Sequence, residues 1–140
     1  MGISHRFAAE NDLDLLAEWN HQLIRDEGHR NTMAVAQLRD RMAGGLVSDY
    51  KAILFERDNA PVAYALYRER DDEIYLRQLF VAREYRGLGI GRQAVDTLRS
   101  DVWPKGRRLT VDVLVRNEPA VRFWRSVGYS DYCLTLEIMA

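Results

Sequence analysis

Three apolar-rich runs follow one another closely in the middle of the chain, and they constrain its fold more than any other feature. They are residues 50–57 (YKAILFER), 62–70 (VAYALYRER) and 73–81 (EIYLRQLFV). The turn-forming sequence RDNAP separates the first two runs, and the pair DD separates the last two. Tight turns between consecutive strand-like runs predict an antiparallel meander.

The segments around this meander carry both helix and strand signals. Apolar residues at one-face helical spacing predict helices at residues 11–28, 32–46, 91–102 and 117–128, and strand-like runs lie at residues 4–9, 107–115 and 132–139. The predicted order is β-α-α-β-β-β-α-β-α-β, which is typical of an α/β fold with mixed layers. Since no linker, repeat or low-complexity segment interrupts the pattern, we expect one domain over residues 1–140.

The charge balance argues against a polyanionic partner. The 140 residues carry a formal net charge of -1 and are 47% hydrophobic. This composition suits a globular core but not nucleic-acid binding, which relies on basic side chains. The single cysteine, Cys133, has no second cysteine with which to form a disulfide or a zinc site, and it lies in an apolar alternating run. We therefore expect a buried, unreactive thiol, no bound metal and no nucleic-acid partner.

The sequence carries no signal for a membrane. The opening stretch MGISHRFAAENDLD lacks the apolar segment of a signal peptide, and Arg6 stands where the myristoylation pattern requires Ser or Thr. No apolar run approaches the ~20 residues that cross a bilayer. We expect a cytoplasmic protein with no membrane partner.

A glycine-rich stretch, residues 85–95 (YRGLGIGRQAV), lies between the third strand-like run and the next helix. A dinucleotide fingerprint would need its third glycine where Arg92 stands, and a P-loop would need a Gly-Lys-Ser/Thr run that the sequence lacks. The glycines nevertheless precede a helix N-terminus, whose free N–H groups and partial positive charge favour an anion. With Arg86 and Arg92 adding charge, the pattern predicts a phosphate-binding turn; the alternative is a plain surface loop with glycines that start a helix.

The same stretch resembles a family signature. Arg86-Gly87-Leu88-Gly89-Ile90-Gly91 is similar to the R/Q-x-x-G-x-G/A motif of the GNAT N-acetyltransferases. Residues 117–129 (NEPAVRFWRSVGY) resemble the second landmark of that family, and the order of elements matches across nearly the whole chain. The resemblance implies the GNAT fold, a mixed and mostly antiparallel sheet flanked by about four helices. It also implies an acetyltransferase that moves an acetyl group from acetyl-CoA to a primary amine.

The resemblance further implies how coenzyme A would bind. The backbone of residues 86–92 would wrap its pyrophosphate. The backbone of Leu79 and Val81 would pair with the pantetheine arm, which enters a gap between this strand and the next, and an N–H near Phe80 would polarise the thioester carbonyl. Lastly, Asn117 would reach the cofactor from the far side, with Phe123 and Trp124 lining that wall.

Transfer to an amine needs a base, because an amine with a pKa near ~10.4 is protonated at neutral pH. Glu73, at the start of the third run, is the candidate general base by resemblance to the histone-acetylating members of the family; the alternative is a charge that only marks the hairpin end. Many members place a Tyr after Phe123 to protonate the leaving thiolate, but this chain has Trp124, whose N–H is not an acid. Tyr129 is therefore the candidate acid, with Tyr132 or water as alternatives.

The acceptor site is expected at residues 20–33 (NHQLIRDEGHRNTM), where the first two predicted helices are connected. Asn20, Glu27 and His29 are the candidate substrate-binding residues. Together with Asp26 they form a polar cluster that suits a cationic amine, and His29 can relay a proton. The alternative for each of these residues is a solvated helix end.

Two other functions fit the same residues. One is a non-catalytic acyl-CoA-binding or sensing domain on the same fold, and the other is a regulator that uses the glycine turn for another nucleotide. The sequence does not identify the acceptor beyond the amine of a small molecule or peptide. The apolar run at residues 132–139 is suited to pairing between two copies, so a homodimer is a further expectation.

Overall fold

A five-stranded sheet with four helices makes up the part of the chain that the computed structural model describes, residues 2–140. The strands are β1 (Ser4–Phe7), β2 (Tyr50–Arg57), β3 (Ala60–Glu69), β4 (Glu73–Val81) and β5 (Arg108–Val111), and they lie side by side in that order. The helices are α1 (Leu13–Glu27), α2 (Val35–Leu46), α3 (Ile90–Thr97) and α4 (Glu118–Ser126). All neighbouring strands are antiparallel except β4 and β5, which are parallel. The predicted mixed, mostly antiparallel sheet with helices around it is confirmed.

Each face of the sheet carries its own apolar core, because successive side chains of a strand point to opposite faces. Leu54 of β2 belongs to the core under α1 and α2, where it packs with Leu16 and Met42. Its neighbour Ile53 belongs to the other core, which includes Ala94 of α3. The sheet is thus covered by α1 and α2 on one side and by α3 on the other.

A glycine ends α1 and two short polar residues form the hairpin between β2 and β3, as the sequence predicts. Helix α1 ends at Gly28, which has a left-handed φ of 71°. The hairpin between β2 and β3 turns at Asp58 and Asn59, both with positive φ (53° and 64°). Positive φ at both central residues is typical of the two-residue turns that join antiparallel strands.

The predicted last strand at residues 132–139 is wrong. Residues 129–140 form no strand or helix, and every residue from 131 to 140 is exposed, including Cys133, which was expected to be buried. Alternation of apolar residues shows which side chains share a face. A strand also needs a neighbouring strand for its backbone hydrogen bonds, and the alternation does not provide one. The strand predicted at residues 107–115 is also shorter than expected, since β5 ends at Val111.

The pairing of β4 with β5 stops partway along β4. The two strands pair from Glu73 and Arg108 to Leu76 and Val111, and no pair follows. On the other side of β4, the register with β3 shifts between Leu76 and Gln78, which leaves Arg77 as the extra residue of a β-bulge. A bulge increases the local twist of a strand. The bulge therefore lies at the point where β4 and β5 diverge, which we call the fork.

Candidate functional site

The second half of β4, Arg77–Val81, has a free backbone edge on the side of β5. The N–H of Ala82 donates to the carbonyl of Val62 on β3 at 2.9 Å. Since backbone groups alternate in direction along a strand, Phe80 also faces β3, whereas the N–H groups of Leu79 and Val81 face the open edge. The two residues whose backbone was expected to pair with pantetheine thus present donors to the gap, and Phe80 itself does not.

The glycine turn follows directly after β4. Gly87 and Gly89 have left-handed φ angles of 78° and 79°, which glycine adopts without steric cost. Gly89 is the N-cap of α3, so the N–H groups of the first turn, starting at Ile90, have no partner inside the helix. The side chain of Leu88 is exposed and that of Ile90 is buried. The turn therefore presents backbone donors and a helix N-terminus to an anion, as the sequence predicts.

Gly91 has a packing role that the other two glycines lack. A Cβ atom at this position would lie 3.2 Å from Cε1 of Phe123 and 3.9 Å from Cγ2 of Val81. The absence of a side chain lets α4 approach the start of α3 and the end of β4. Phe123 thus lies against the glycine turn, where it was expected to form a wall of the cofactor site.

Arg86 closes the open end of β4 in this structure. Its Nε donates to the carbonyl of Val81 at 2.8 Å, and its Nη2 donates to Asp26 Oδ2 at 2.8 Å. Arg83 also donates to Asp26, at 3.1 Å. Although burial acts in the opposite direction, these two arginines hold the pKa of the Asp26 carboxyl below its ordinary value. Asp26, expected to face a cationic acceptor, instead anchors the glycine turn to the end of α1.

Two other predicted cofactor residues make bonds within the protein. Arg92 donates from Nη2 to the carbonyl of Ser126 at 2.9 Å, which ties α3 to the end of α4. Asn117 is the N-cap of α4, and its Oδ1 accepts from the N–H of Ala120 at 3.3 Å. The roles of Arg92 and Asn117 toward coenzyme A stay predictions.

A tyrosine and an aspartate span the fork. The hydroxyl of Tyr75 on β4 donates to Oδ2 of Asp112, the residue after β5, at 3.0 Å. Burial, followed by this hydrogen bond, raises the pKa of Tyr75 to about 12. Tyr75 is therefore neutral at pH 7 and acts as a donor, while the exposed Asp112 keeps acceptor positions free at the mouth of the gap.

Glu73 lies in the other half of β4, where the strand is still paired with β5. Its Oε1 accepts from Arg70 at 2.8 Å, and its Oε2 accepts from Arg108 at 2.9 Å and from Thr110 Oγ1 at 3.1 Å. At ~3.3 Å per residue, Glu73 is about 13 Å from Arg77 along the strand. The structure thus gives this carboxylate three donors and places it away from the fork; its role as a base stays a prediction.

An aromatic row connects the glycine turn with Tyr129. Trp124 makes edge-to-face contacts with Phe123 at a centroid distance of 5.0 Å and with Tyr129 at 5.2 Å. The hydroxyl of Tyr129 is buried without a hydrogen-bond partner among the described residues, and burial raises the pKa of Tyr129 to about 12. Tyr129 is thus a protonated donor, but Trp124 lies between it and the glycine turn.

The three candidate acceptor residues lie on α1 or just after it. Asn20 is 1% exposed, and its Oδ1 has no hydrogen-bond partner among the described residues. Glu27 Oε1 lies 3.3 Å from His29 Nε2. Burial raises the pKa of Glu27, an effect that the nearby His29 opposes. Asn20 and Glu27 are seven positions apart, about two helical turns, and so share a face of α1.

Asn20 lines a small cavity between the helices and the sheet. The cavity has a volume of ≈ 20 Å³ and is bounded by Arg41 and Gly45 of α2 and by Arg77 and Gln78 of β4. Its volume is sufficient for one water molecule or one small polar group. Because Arg77 is the bulge residue, this cavity adjoins the fork from the α1 side.

Several of these contacts were not predicted from the sequence. Asp26 and Arg86 are 60 positions apart, and Tyr75 and Asp112 are 37 apart. No local pattern marks such pairs, because each depends on how the elements pack. The bulge at Arg77 likewise has no signal in the apolar alternation of residues 73–81.

Among the described residues, no helix has the length and apolar character needed to cross a membrane, and no group of His, Cys, Asp and Glu side chains is arranged to hold a metal.

Comparison with known proteins agrees with this architecture. The family model of the acetyltransferase (GNAT) family matches residues 13–129. The chain is similar to the structure of a possible acetyltransferase from Clostridium difficile 630, with a TM-score of 0.79 at 20% identity, covering 100% of this chain and 99% of that one.

Two other similar structures contain the cofactor. One is the aminoglycoside N-acetyltransferase AAC(6')-Iy in complex with CoA, with a TM-score of 0.78 at 13% identity, covering 99% of this chain and 94% of that one. The other is a predicted acetyltransferase with acetyl-CoA from Clostridium acetobutylicum, with a TM-score of 0.74 at 17% identity, covering 98% and 96%. At these identities the likeness shows a shared fold.

Proposed function

Because the chain belongs to the acetyltransferase (GNAT) family, we propose that it is a cytoplasmic, acetyl-CoA-dependent N-acetyltransferase. It transfers the acetyl group directly to a primary amine of a small molecule or peptide while both substrates are bound. The observation that carries this proposal is the free edge of β4 at Arg77–Val81, which runs from the fork into the glycine turn. This continuous row of backbone donors suits a long ligand that ends in phosphates.

Coenzyme A would lie along this edge. Its pyrophosphate would accept hydrogen bonds from the turn at Gly87–Gly91 and the start of α3, and its pantetheine amides would pair with the backbone of Leu79 and Val81. In this structure, Arg86 occupies the carbonyl of Val81. Binding of the arm therefore requires Arg86 to release that carbonyl, while Asp26 keeps the arginine close to the turn.

The chemistry is attack of the neutral amine nitrogen on the thioester carbonyl carbon. The carbon–nitrogen bond forms, the carbon–sulfur bond breaks, and the amine proton leaves to a base while the thiolate is protonated. A backbone N–H on the open edge would stabilise the negative charge that develops on the carbonyl oxygen. The thiol of coenzyme A has a pKa of about 8.5, similar to that of free cysteine, so water is able to supply its proton. Tyr129, the acid that the sequence suggests, would have to be brought closer to the thiolate than the intervening Trp124 allows.

Two carboxylates are candidates for the base. Glu73 is the one that the sequence predicts, and Asp112 is the one that lies at the fork. Asp112 accepts from one side chain, Tyr75, whereas Glu73 accepts from three. A carboxylate with fewer donors has more lone pairs available for an incoming proton. The geometry therefore favours Asp112, and variants of both residues decide between them.

The acceptor would enter from the side of α1. There Asn20 presents an unpartnered oxygen, and Glu27 and His29 lie at the end of the helix. A buried carbonyl oxygen without a partner is costly, and an amine N–H that binds to it removes that cost.

A thiol-release assay with acetyl-CoA and a panel of small amines and peptides tests the function. We expect saturable turnover with at least one amine, and binding of coenzyme A but not of ATP or NAD by calorimetry. Tight coenzyme A binding without turnover would identify a sensing domain instead. Binding of ATP without binding of coenzyme A would refute the family mechanism for this chain.

A second copy of the chain is the other partner that we propose. Residues 131–140 are all exposed, and Leu134, Leu136 and Ile138 have exposures of 67%, 83% and 93%. Single folded chains rarely leave contiguous apolar patches larger than a few hundred Å² in water. Within the chain, two exposed ion pairs contact this segment, Arg125 to Asp131 at 2.7 Å and Arg30 to Glu137 at 3.0 Å, together with the stacking of Arg108 on Tyr132.

The surface that this segment would cover is present in the same chain. β5 is an edge strand with one unpaired side, and none of the residues of α4 is buried. Since an unpaired strand edge is a ready template for another strand, we propose that two copies exchange residues 131–140, each segment extending the partner's sheet beside β5.

Light scattering on wild type and on Leu136→Arg/Ile138→Arg tests the exchange. We expect a dimer for wild type and a monomer for the double variant, with Val47→Arg as control, because Val47 is 87% exposed on the loop after α2. Hydrogen exchange should show amide protection of residues 132–138 that is lost on dilution. A wild-type monomer would refute the dimer, and a dimer that both arginines leave intact would refute only the exchange.

A further inference from the structure

Two arginines lie next to the cavity at Asn20 without a carboxylate partner. Arg41 of α2 and Arg77 of the bulge both line this cavity. Neither forms a salt bridge or a side-chain hydrogen bond with any residue in the described range, 2–140. Arg41 is half-buried, and burial, followed by the charge of Arg77, lowers its pKa. Two guanidinium groups that repel each other beside a cavity form an environment that favours an anion.

Arg77 is held in place by an aromatic ring and not by a carboxylate. Arg77 stacks on the ring of Tyr50 at 5.3 Å, and Arg68 stacks on the same ring at 5.1 Å. Arg68 is paired with Asp49 at 3.4 Å, whereas Arg77 has no such partner among residues 2–140. The stacking on Tyr50 holds Arg77 in place and leaves the donors of its guanidinium free.

Asn20 provides a second, independent feature of the cavity. Its side chain is almost fully buried and lines the cavity, and its Oδ1 has no donor in the described part of the chain. An amide oxygen accepts hydrogen bonds and does not bind an anion. The cavity therefore combines an acceptor for an N–H group with two cationic donors for a negative group.

Both features lie beside the place where acetyl transfer would occur. Arg77 is the bulge residue, and the free edge of β4 begins there, directly after the last pair with β5. An amine bound to Asn20 would be next to the fork, and a negative group on the same molecule would reach the arginines.

We propose that the acceptor is an amine that also carries an anionic group, a carboxylate or a phosphate, which Arg41 and Arg77 bind while Asn20 accepts a hydrogen bond from the amine. This inference rests on the proposed acetyltransferase function and narrows its substrate class. It adds a negative group to the cationic amine that the acidic residues at the end of α1 suggested. Asp26, one of those acidic residues, is occupied by Arg83 and Arg86.

Matched pairs of acceptors test this proposal, because each pair differs in the anionic group. The carboxylate arm compares phenylalanine with phenethylamine and lysine with cadaverine, and the phosphate arm compares phosphoethanolamine with ethanolamine. We expect kcat/KM to be at least tenfold higher for the anionic member in one arm. Calorimetry of the same probes with coenzyme A bound should show the same preference in affinity, which gives a readout that does not depend on turnover.

Variants of Arg41 and Arg77 test whether these two residues cause the preference for the anionic acceptor. We expect Arg41→Gln and Arg77→Gln to raise KM for the anionic member about tenfold with little change in kcat, and to remove the difference between the two members. Arg39→Gln is the matched control: Arg39 is also on α2, but it does not line the cavity and is paired with Asp14 at 2.6 Å.

The outcomes separate this inference from the function on which it rests. Turnover of the members without the anionic group as fast as, or faster than, turnover of their anionic partners would overturn the inference and leave the acetyltransferase in place. An anionic preference that survives both arginine variants would also overturn it. Absence of turnover with every probe, together with absence of probe binding, would count against both.

Discussion

The two halves of β4 differ in what their backbone does. From Glu73 to Leu76 the strand pairs on both sides, with β3 and with β5. From Arg77 onward it pairs with β3 alone, and its other edge leads to the glycine turn. In the first half, the side chain of Glu73 is held by two arginines and a threonine. In the second half, Arg77 and the backbone of Leu79 are available to ligands.

The candidate site thus depends on a local interruption of regular structure. A fully paired strand uses all its backbone groups within the sheet, so it has none left for a ligand. The bulge at Arg77 and the end of β5 at Val111 release those groups at one place. We therefore expect substitutions in the paired half to change stability, and substitutions around the open half to change function.

The largest expected effect separates the two carboxylates. We expect Asp112→Asn to lower kcat by about 100-fold, because removal of a general base costs roughly 10² to 10⁴ in rate. Glu73→Gln should instead lower the free energy of unfolding by about 1 kcal/mol, the scale of partly exposed ion pairs and their hydrogen bonds. Steady-state kinetics over pH and urea denaturation measure the two effects. A larger loss of kcat in Glu73→Gln would return the base role to the residue that the sequence predicts.

The next effect concerns the conformation of the turn. Gly89→Ala places a side chain at φ 79°, where nothing lies within 4 Å of the new Cβ, so the cost is backbone strain alone. We expect the free turn of the variant to relax away from this conformation, so that restoring it on binding costs about 1–2 kcal/mol and weakens coenzyme A binding roughly 5- to 30-fold, as calorimetry can measure. Gly44→Ala is the control, since it adds a Cβ with open space inside α2 and should leave affinity unchanged. Equal affinities for Gly89→Ala and wild type would contradict the role of the turn.

A double-mutant cycle tests the close approach at Gly91. Gly91→Ala would place its Cβ 3.2 Å from Phe123, and we expect it to lower the free energy of unfolding by about 1–3 kcal/mol through overpacking. Phe123→Leu in the same chain removes the ring atom and should recover part of this loss, which appears as a coupling between the two positions. Urea denaturation of the four proteins gives the coupling. Strict additivity would show that Gly91 and Phe123 do not contact each other in solution.

The smallest expected effect is on thermal stability, and it concerns Glu27 at the end of α1. Burial raises the pKa of Glu27, so the folded state favours its protonated form. The stability that this group contributes is present below its unfolded pKa of about 4.3 and is lost as the pH rises through the raised value. Glu27→Gln should therefore raise Tm at pH 7.5, and the gain should shrink toward pH 4. Glu18→Gln, an exposed change on the same helix, is the control, and a gain that does not depend on pH would contradict burial of the Glu27 carboxylate as the cause.

Local sequence predicted the parts of the site that depend on backbone conformation. The meander, the turn at Asp58 and Asn59, and the glycine turn before α3 each follow from a few neighbouring residues. The family signature assigned the turn to the acetyltransferase family because its spacing is also local. All three glycines were expected to bind phosphate, and that stays a prediction; the close packing of Gly91 against Phe123 was not predicted.

Contacts between distant residues could not be predicted in the same way. The partners of Asp26 and Asp112 depend on the packing of α1 and on the divergence of β5, and neither is encoded near those residues in the chain. The prediction of a last strand failed for the same reason. Residues 132–139 have the alternation of a strand, but a strand also needs a neighbour, and the chain alone does not supply one.

The bond from Arg86 to the carbonyl of Val81 has a consequence for solubility. An unpaired strand edge invites other chains to add a strand, and proteins often protect such edges with charged side chains. Arg86 places a positive charge on the edge that coenzyme A would otherwise cover, and Asp26 holds it there. Arg86 therefore protects this edge from pairing with other chains, and we expect Asp26→Asn to lower the solubility of the protein.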